Sequence, residues 1–87
     1  MSTRVTIEFY GIPRQRAGRS ELHVEAASVG DALRAAERQG SLQGIIQGTR
    51  IAPHYRVSLN GQRFLTDLDE KLAEGDRVLI LSADVGG

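Results

Sequence analysis

The run Val78-Leu79-Ile80-Leu81, close to the end of the chain, constrains the fold more than any other segment. A half-buried strand alternates apolar and polar residues, whereas this run is apolar on both faces, which is typical of a central strand. A chain of 87 residues with one principal helix can cover only one face of a small sheet. The other apolar set is therefore predicted to form an exposed patch that binds a partner, unless residues 42–46 cover it.

Hydrophobic periodicity predicts the other elements. Alternation predicts a strand over 5–10 and a second over 21–25 that pairs with it as a hairpin. An apolar stripe at helical spacing behind Ser28, a predicted N-cap, predicts the main helix over 29–39. Asn60-Gly61 predicts a two-residue hairpin turn. That turn joins strands over 56–59 and 62–65, and the last strand covers 77–82.

Three segments have weaker signals. Residues 14–18 are polar and end in glycine, which predicts a turn or loop. Residues 42–46 have apolar residues three to four apart and predict a short second helix or a turn, with an irregular stretch over 48–53. Residues 67–72 predict a single helical turn.

Composition excludes several functions. Basic and acidic residues number 11 each, so net charge indicates neither a nucleic-acid nor a membrane partner. No stretch approaches transmembrane length, and the first residues lead into a strand rather than a signal segment, so a cytoplasmic protein is expected. The chain has no cysteine, and therefore no thiol nucleophile and no thiolate metal ligand. Any sulfur that it handles must be attached to it.

No side-chain cluster predicts a catalytic or metal site. The two histidines, His23 and His54, are isolated and are interpreted as surface residues. The acidic run lacks the spacing of a calcium loop and is interpreted as a solvated, helix-capping set. Three loop arginines could steer a partner, although such residues usually have no specific role. Phe9 and Leu33 are predicted core residues. The acidic run is Asp67, Asp69, Glu70, Glu74 and Asp76, and the arginines are Arg14, Arg16 and Arg19.

The sequence ends in Gly86-Gly87, directly after the last strand. We divide the chain into a folded domain over 1–82 and a flexible tail over 83–87. Glycine has no Cβ, so Gly86 and Gly87, preceded by Val85, could thread a narrow channel in a partner's active site. The five tail residues span at most about 17 Å when extended. The alternative is that Gly86 and Gly87 have no function and belong to a disordered chain end, as many termini do.

Several short motifs follow one another along the chain: Phe9-Tyr10-Gly11, Ser28-Val29-Gly30-Asp31-Ala32-Leu33, Leu59-Asn60-Gly61, Leu72-Ala73-Glu74-Gly75-Asp76-Arg77-Val78 and Gly86-Gly87. This ordered set resembles the ubiquitin-like sulfur carriers over nearly the whole chain. Among these, the chain is most similar to the small subunit of molybdopterin synthase, with the thiamine-pathway sulfur carrier as a shorter relative. The resemblance implies an α+β fold of the ubiquitin-like β-grasp type, with a mixed sheet of four to five strands packed on one main helix.

The resemblance also implies a role for the tail. The Gly87 carboxylate would be adenylated and then converted to a thiocarboxylate that donates its sulfur. The chain has no Gly-rich phosphate loop, so we expect it to bind no cofactor itself, and the ATP to be used by a separate E1-like adenylating enzyme. Further expected partners are a sulfurtransferase or cysteine desulfurase, and the molybdopterin synthase large subunit or another sulfur-accepting enzyme. The chain would be a co-substrate or non-catalytic subunit, docking through Leu79, Leu81 and Phe64.

Several functions remain open at this point. The acceptor could be the molybdopterin precursor, the thiamine thiazole, cysteine or a tRNA base. The same tail would also suit a ubiquitin-like modifier joined to protein lysines. A β-grasp interaction domain with an inert tail is the alternative from a different class.

Overall fold

The computed structural model describes residues 3–39 and 42–83. The elements are β1 (Thr3–Phe9), α1 (Gly11–Ala17), β2 (Glu21–Ala26), α2 (Val29–Gln39), β3 (Ile46–Gln47), β4 (Arg50–Ile51), β5 (Tyr55–Leu59), β6 (Arg63–Leu65) and β7 (Arg77–Ser82). Five strands form one mixed sheet in the order β2-β1-β7-β5-β6, and β3 and β4 form a separate two-stranded ribbon. Strand β7 pairs in parallel with β1 and antiparallel with β5. This confirms the predicted α+β fold with a mixed sheet on one main helix.

Strand β7 occupies the centre of the sheet, as its two apolar faces predict. Val78 and Ile80 are completely buried in the core cluster that also contains Leu33 of α2. Leu79 and Leu81, on the opposite face, are only partly buried. The exposed apolar set of this strand is therefore Leu79 and Leu81.

Helix α2 has the predicted bounds, and its first turn has the predicted cap. The Ser28 hydroxyl accepts the backbone N–H of Asp31 at 3.2 Å, as expected of an N-cap side chain. Its apolar stripe then packs on the sheet, with Val29 and Leu33 fully buried together with Phe9 of β1. The helix therefore covers one face of the sheet and leaves the other open.

Residues 67–72 do not form the predicted helical turn. Their carbonyls instead bind the start of α2: Val29 N–H donates to the Glu70 carbonyl at 2.9 Å and Gly30 N–H to the Leu68 carbonyl at 2.8 Å. The first N–H groups of a helix have no partner within it, so this segment satisfies them from outside. A Cβ at Gly30 would lie 3.2 Å from the Leu68 oxygen, so glycine permits the close approach.

The loop predicted over 14–18 is wrong, because Gly11–Ala17 is the short helix α1. Pro13 lies in its first turn, where a proline needs no N–H partner, and is buried. Gly18 ends the helix in a left-handed conformation with φ of 72°, and its N–H donates to the Arg14 carbonyl at 3.0 Å. Both residues are ordinary helix-boundary signals.

Residues 42–46 form no helix: Ile46 begins β3, and its partner strand β4 lies in the stretch over 48–53 that was predicted to be irregular. Leu42 and Ile45 are buried in the same core cluster as Leu33 of α2. The Glu37 carboxylate of α2 accepts the Ile45 N–H at 3.0 Å, which holds the ribbon on the helix side. These residues therefore do not cover the open face of the sheet.

Candidate functional site

The open face of the sheet, opposite α2, carries an apolar patch of Leu79, Leu81 and Phe64, which we call the open-face patch. Ser58 of β5 lies opposite both Leu79 and Phe64 in the strand register and is only 7% exposed. Phe64 itself is 56% exposed. The guanidinium of Arg56, which pairs in register with Leu81, lies 5.1 Å from the Phe64 ring centroid. The structure thus brings together the three residues predicted to dock a partner.

A polar network borders this patch on the β1 side. Glu8, in register with Leu79, accepts a hydrogen bond from the Tyr10 hydroxyl at 2.5 Å and forms an ion pair with Arg77. The Tyr10 hydrogen bond, aided by the Arg77 guanidinium, lowers the pKa of Glu8, although desolvation opposes the shift. The same bond raises the pKa of Tyr10. Glu8 is therefore held as a carboxylate, in a network that periodicity alone did not reveal.

The end of β7 places the start of the tail beside β5. Tyr55 pairs in register with Ser82, and the Ala83 N–H donates to the His54 carbonyl at 3.0 Å. Val85, Gly86 and Gly87, the predicted reactive segment, lie outside the described residues. Only Ser82 separates Leu81 of the open-face patch from Ala83, the last described residue. A partner bound at the patch would therefore lie close to the start of the tail.

Two of the three arginines assigned to a loop belong to helix α1. Arg16 of α1 reaches the Tyr55 hydroxyl, with its Nη1 3.4 Å from that oxygen. Tyr55 is the register partner of Ser82, so Arg16 lies near the end of β7. Arg14 is also on α1, whereas Arg19 follows it in an exposed turn. Steering of a partner by these residues stays a prediction.

The two histidines lie apart and are exposed, as predicted for surface residues. His23 on the edge strand β2 contacts the Thr6 hydroxyl at 3.1 Å through Nδ1 and the Glu21 carboxylate at 3.1 Å through Nε2. The His54 ring contacts the Tyr55 ring in a tilted arrangement, with centroids 4.5 Å apart and an interplanar angle of 44°. The structure does not bring them together as an acid–base pair.

The side chains of the acidic run contact turns and strands and do not cap a helix, which corrects part of their interpretation. Four of the five carboxylates accept a backbone N–H or pair with an arginine. Within residues 3–39 and 42–83, no group of three His, Cys, Asp or Glu side chains could hold a metal ion. The contacts are Asp67 with Asp69 N–H (2.9 Å), Glu70 with Arg63, Glu74 with Arg4 N–H (3.0 Å) and Asp76 with Ala73 N–H (2.8 Å).

Asn60 does more than form the predicted hairpin turn. Asn60 and Gly61 have φ of 57° and 70°, the positive values that a type I′ turn requires. The Asn60 side-chain oxygen also accepts the Arg77 N–H at 2.8 Å, and its amide donates to Asp76 at 3.2 Å. The turn between β5 and β6 therefore fastens the start of β7, a long-range contact that the dipeptide signal does not contain.

No protein-family model and no curated protein sequence matches the chain. Solved structures do match it over nearly its whole length. SAMP1, a small archaeal modifier protein of Haloferax volcanii, is 26% identical with a TM-score of 0.81, over 97% of this chain and 99% of the other. A putative molybdopterin converting factor, subunit 1, from Pyrococcus furiosus is 24% identical with a TM-score of 0.75, over 93% and 98%. A chain of the BexX/CysO complex of Amycolatopsis orientalis is 22% identical with a TM-score of 0.75, over 95% and 99%.

The sheet order, the single covering helix and these matches define a ubiquitin-like β-grasp protein. Within that class, the predicted resemblance is confirmed at the level of the fold by SAMP1, which is 26% identical, and by the putative molybdopterin converting factor subunit. The two matches below 25% identity establish the fold alone. In the part of the chain that the structure describes, no helix is sufficiently long and apolar to cross a membrane.

Proposed function

We propose that this protein is a sulfur carrier that acts through the carboxylate of Gly87. The observation that carries the proposal is the position of β7. This central strand contributes Leu79 and Leu81 to an exposed face and leads within a few residues to Gly86-Gly87. The neighbours supply the context, since they include a small archaeal modifier protein and a putative subunit of a molybdopterin converting factor.

The proposed chemistry begins with activation of a poor electrophile. The Gly87 carboxylate attacks the α-phosphorus of ATP in an E1-like adenylating enzyme, pyrophosphate leaves, and an acyl-adenylate forms. The terminal persulfide sulfur of a sulfurtransferase or cysteine desulfurase then attacks the carbonyl carbon, AMP leaves, and an acyl disulfide with that enzyme forms. A second thiol attacks the enzyme's sulfur atom, which releases the thiocarboxylate at Gly87 and leaves a disulfide between the two thiols. The folded domain contributes no reacting side chain to these steps. It supplies the surface that docks each partner.

The molybdopterin precursor is the acceptor that we propose. The sulfur would be delivered in a complex with the large subunit of molybdopterin synthase, and this chain would be its non-catalytic small subunit. The thiamine thiazole, cysteine and a tRNA base are the alternative acceptors. The acceptor is decided by the enzyme that receives the tail, so co-purification with each candidate sulfur-accepting enzyme distinguishes them.

A second function, as a protein modifier, uses the same activated Gly87. The 26% identity with SAMP1 over 97% of the chain favours it. An isopeptide bond to a lysine of another protein would replace sulfur transfer as the final step. Peptide mapping of conjugates from the source cells separates the two functions, because only the modifier leaves Gly87 attached to lysine side chains.

Docking is proposed to occur at the open-face patch. Exposed apolar patches flanked by polar groups are a common mark of protein interfaces. Leu81→Asp introduces a charge beside Arg56, its register partner, which limits the damage to the fold. We expect the variant to fold normally and to bind the adenylating enzyme at least about tenfold more weakly. Unchanged binding would exclude this face as the docking site.

The tail mechanism is tested by adding one alanine after Gly87. The added residue moves the carboxylate beyond the position that the adenylating enzyme must reach, so we expect loss of adenylation without loss of folding. A chain with one alanine inserted after Met1 is the matched control, because it gains the same mass at the other end. Normal adenylation and thiolation of the C-terminally extended chain would contradict the mechanism.

A further inference from the structure

A groove of about 600 Å³ lies at the corner of the sheet where β4, β5 and β6 meet the end of β7. Residues 49–53 form one wall, and residues 64–68 form the other. Ile51 and Phe64 contribute apolar surface, and Ala83 lines one end. The groove is continuous with the open-face patch, because Phe64 belongs to both.

Two arginines make this groove basic. Arg50 and Arg56 both line it, and neither takes part in an ion pair among the described residues. Arg56 stacks over Phe64, a contact that fixes the guanidinium while leaving its N–H donors available. Asp67 is the one acidic residue of the described lining, and it accepts the Asp69 N–H at 2.9 Å. The arginines therefore outnumber the carboxylate.

A peptide segment with carboxylates on either side of an apolar side chain complements this lining. Arginine binds carboxylates through paired N–H donors, and Ile51 and Phe64 offer a site for the apolar side chain. The position of the groove limits which protein can supply the segment. Ala83 lines the groove and is the first residue of the tail, so an enzyme that takes up the tail must pass beside it.

We propose that the groove binds an acidic segment of the adenylating enzyme, and that this contact guides the tail into its active site. The assignment of this partner depends on the proposed function. The adenylating enzyme would then contact this chain at two adjoining surfaces, the groove and the open-face patch. The groove contributes affinity and orientation, and the chemistry takes place at Gly87.

The first test uses a defined peptide and does not depend on adenylation. The ¹⁵N-labelled protein is titrated with acetyl-Glu-Val-Asp-Leu-Glu-amide, and with a control peptide in which lysine replaces each acidic residue. We expect saturable shifts of the amide signals of Arg50, Ile51, Phe64 and Ala83 with the acidic peptide only. Equal shifts with both peptides, no shifts, or shifts confined to other surfaces would overturn the proposal.

The second test uses the full chain and the adenylating enzyme of the source organism. Arg50→Glu with Arg56→Glu should raise the Kd by about tenfold or more, because close interfacial charge pairs contribute strongly. Arg38→Glu with Lys71→Glu changes net charge by the same amount at exposed sites outside the groove and should change the Kd less than about twofold. Equal losses for both pairs would indicate general electrostatic attraction and contradict a groove contact.

The double variant Arg50→Gln with Arg56→Gln removes both charges without reversing them and controls for misfolding of the glutamate variant. Its thermal unfolding should match that of the wild type, and its binding to the adenylating enzyme should still be weakened. Failure of the wild type to be adenylated would contradict the proposed function, and the peptide titration would still decide whether the groove binds acidic segments. The two proposals can therefore fail separately.

Discussion

Neighbouring side chains of β7 should separate stability from partner binding. Ile80→Ala removes a side chain with no exposed surface, packed between Phe9 of β1 and Val57 of β5 in the strand register. Leu81→Ala removes a partly buried side chain on the open face, beside Arg56. The two substitutions remove side chains of equal size from one strand and differ in the face that they affect.

The burial of each side chain sets the expected loss of stability. Truncation of a fully buried isoleucine costs about 2–5 kcal/mol, and the central position of Ile80 favours the upper part of that range. Leu81 keeps part of its surface in contact with solvent, so its truncation should cost about 1 kcal/mol. A chain of this length has a total unfolding free energy of roughly 4–13 kcal/mol, so Ile80→Ala should remove a substantial fraction of it.

Urea and thermal unfolding followed by circular dichroism measure this difference. At about 4–8 °C per kcal/mol, Ile80→Ala should lower the Tm by about 10 °C or more, and Leu81→Ala by less than about 8 °C. The affinity for the adenylating enzyme should show the opposite order, with Leu81→Ala the more damaging variant. Equal losses of stability, or a larger loss for Leu81→Ala, would refute the assigned orientation of the strand.

Three further substitutions test contacts that support the site. Asn60→Ala should cost about 1–3 kcal/mol in urea unfolding, because it removes the acceptor for the Arg77 N–H and places alanine at positive φ; an unchanged midpoint would contradict this. Glu37→Ala should cost a similar amount, about 1–3 kcal/mol, by leaving the N–H groups of Ile45 and Ile46 without their acceptor; an unchanged midpoint would show that they find another. Because the pKa of Glu8 is lowered below 4.5, its carboxylate stabilises the fold above about pH 4.5, and this contribution is lost as pH falls through the folded-state pKa. Glu8→Gln should therefore flatten the dependence of Tm on pH in that acidic range, and an unchanged pH profile would count against the network.

The elements with a strong local signal were predictable. The helix over 29–39 has both a cap residue and a regular apolar stripe, and its observed bounds match. The last strand over 77–82 was recognisable because few other structures suit a continuous apolar run next to a tight turn. Helix α1 also has local signals, because Pro13 lies in its first turn and Gly18 ends it, although we predicted a turn or loop there.

The segment over 67–72 was not predictable from local pattern. Its polar, turn-like composition is compatible with a helical turn, but its carbonyls are needed by Val29 and Gly30 at the start of α2. That need arises about forty residues away in sequence and exists only once the helix is in place. Local propensity gives way to the tertiary hydrogen bonds in such cases.

The candidate site was predictable in kind and not in detail. Two apolar faces on β7 indicated a partner surface. The sequence did not show whether Val78 and Ile80 or Leu79 and Leu81 form it, because that depends on the face that α2 covers. The basic groove depends on the β3–β4 ribbon, a two-residue pairing too short to give a period-two signal. Arg50 and Arg56 come together there only through the tertiary fold.

The state of Gly87 tests the central claim most directly. Intact-mass and C-terminal peptide measurements of the protein purified from its native cells, without reducing or acidic treatment, would detect replacement of one carboxylate oxygen by sulfur. The proposed carrier function predicts a thiocarboxylate at Gly87 in a fraction of the molecules, and its loss when the adenylating enzyme is deleted. A carboxylate that never carries sulfur, in cells that are actively using the sulfur acceptor, would contradict the account.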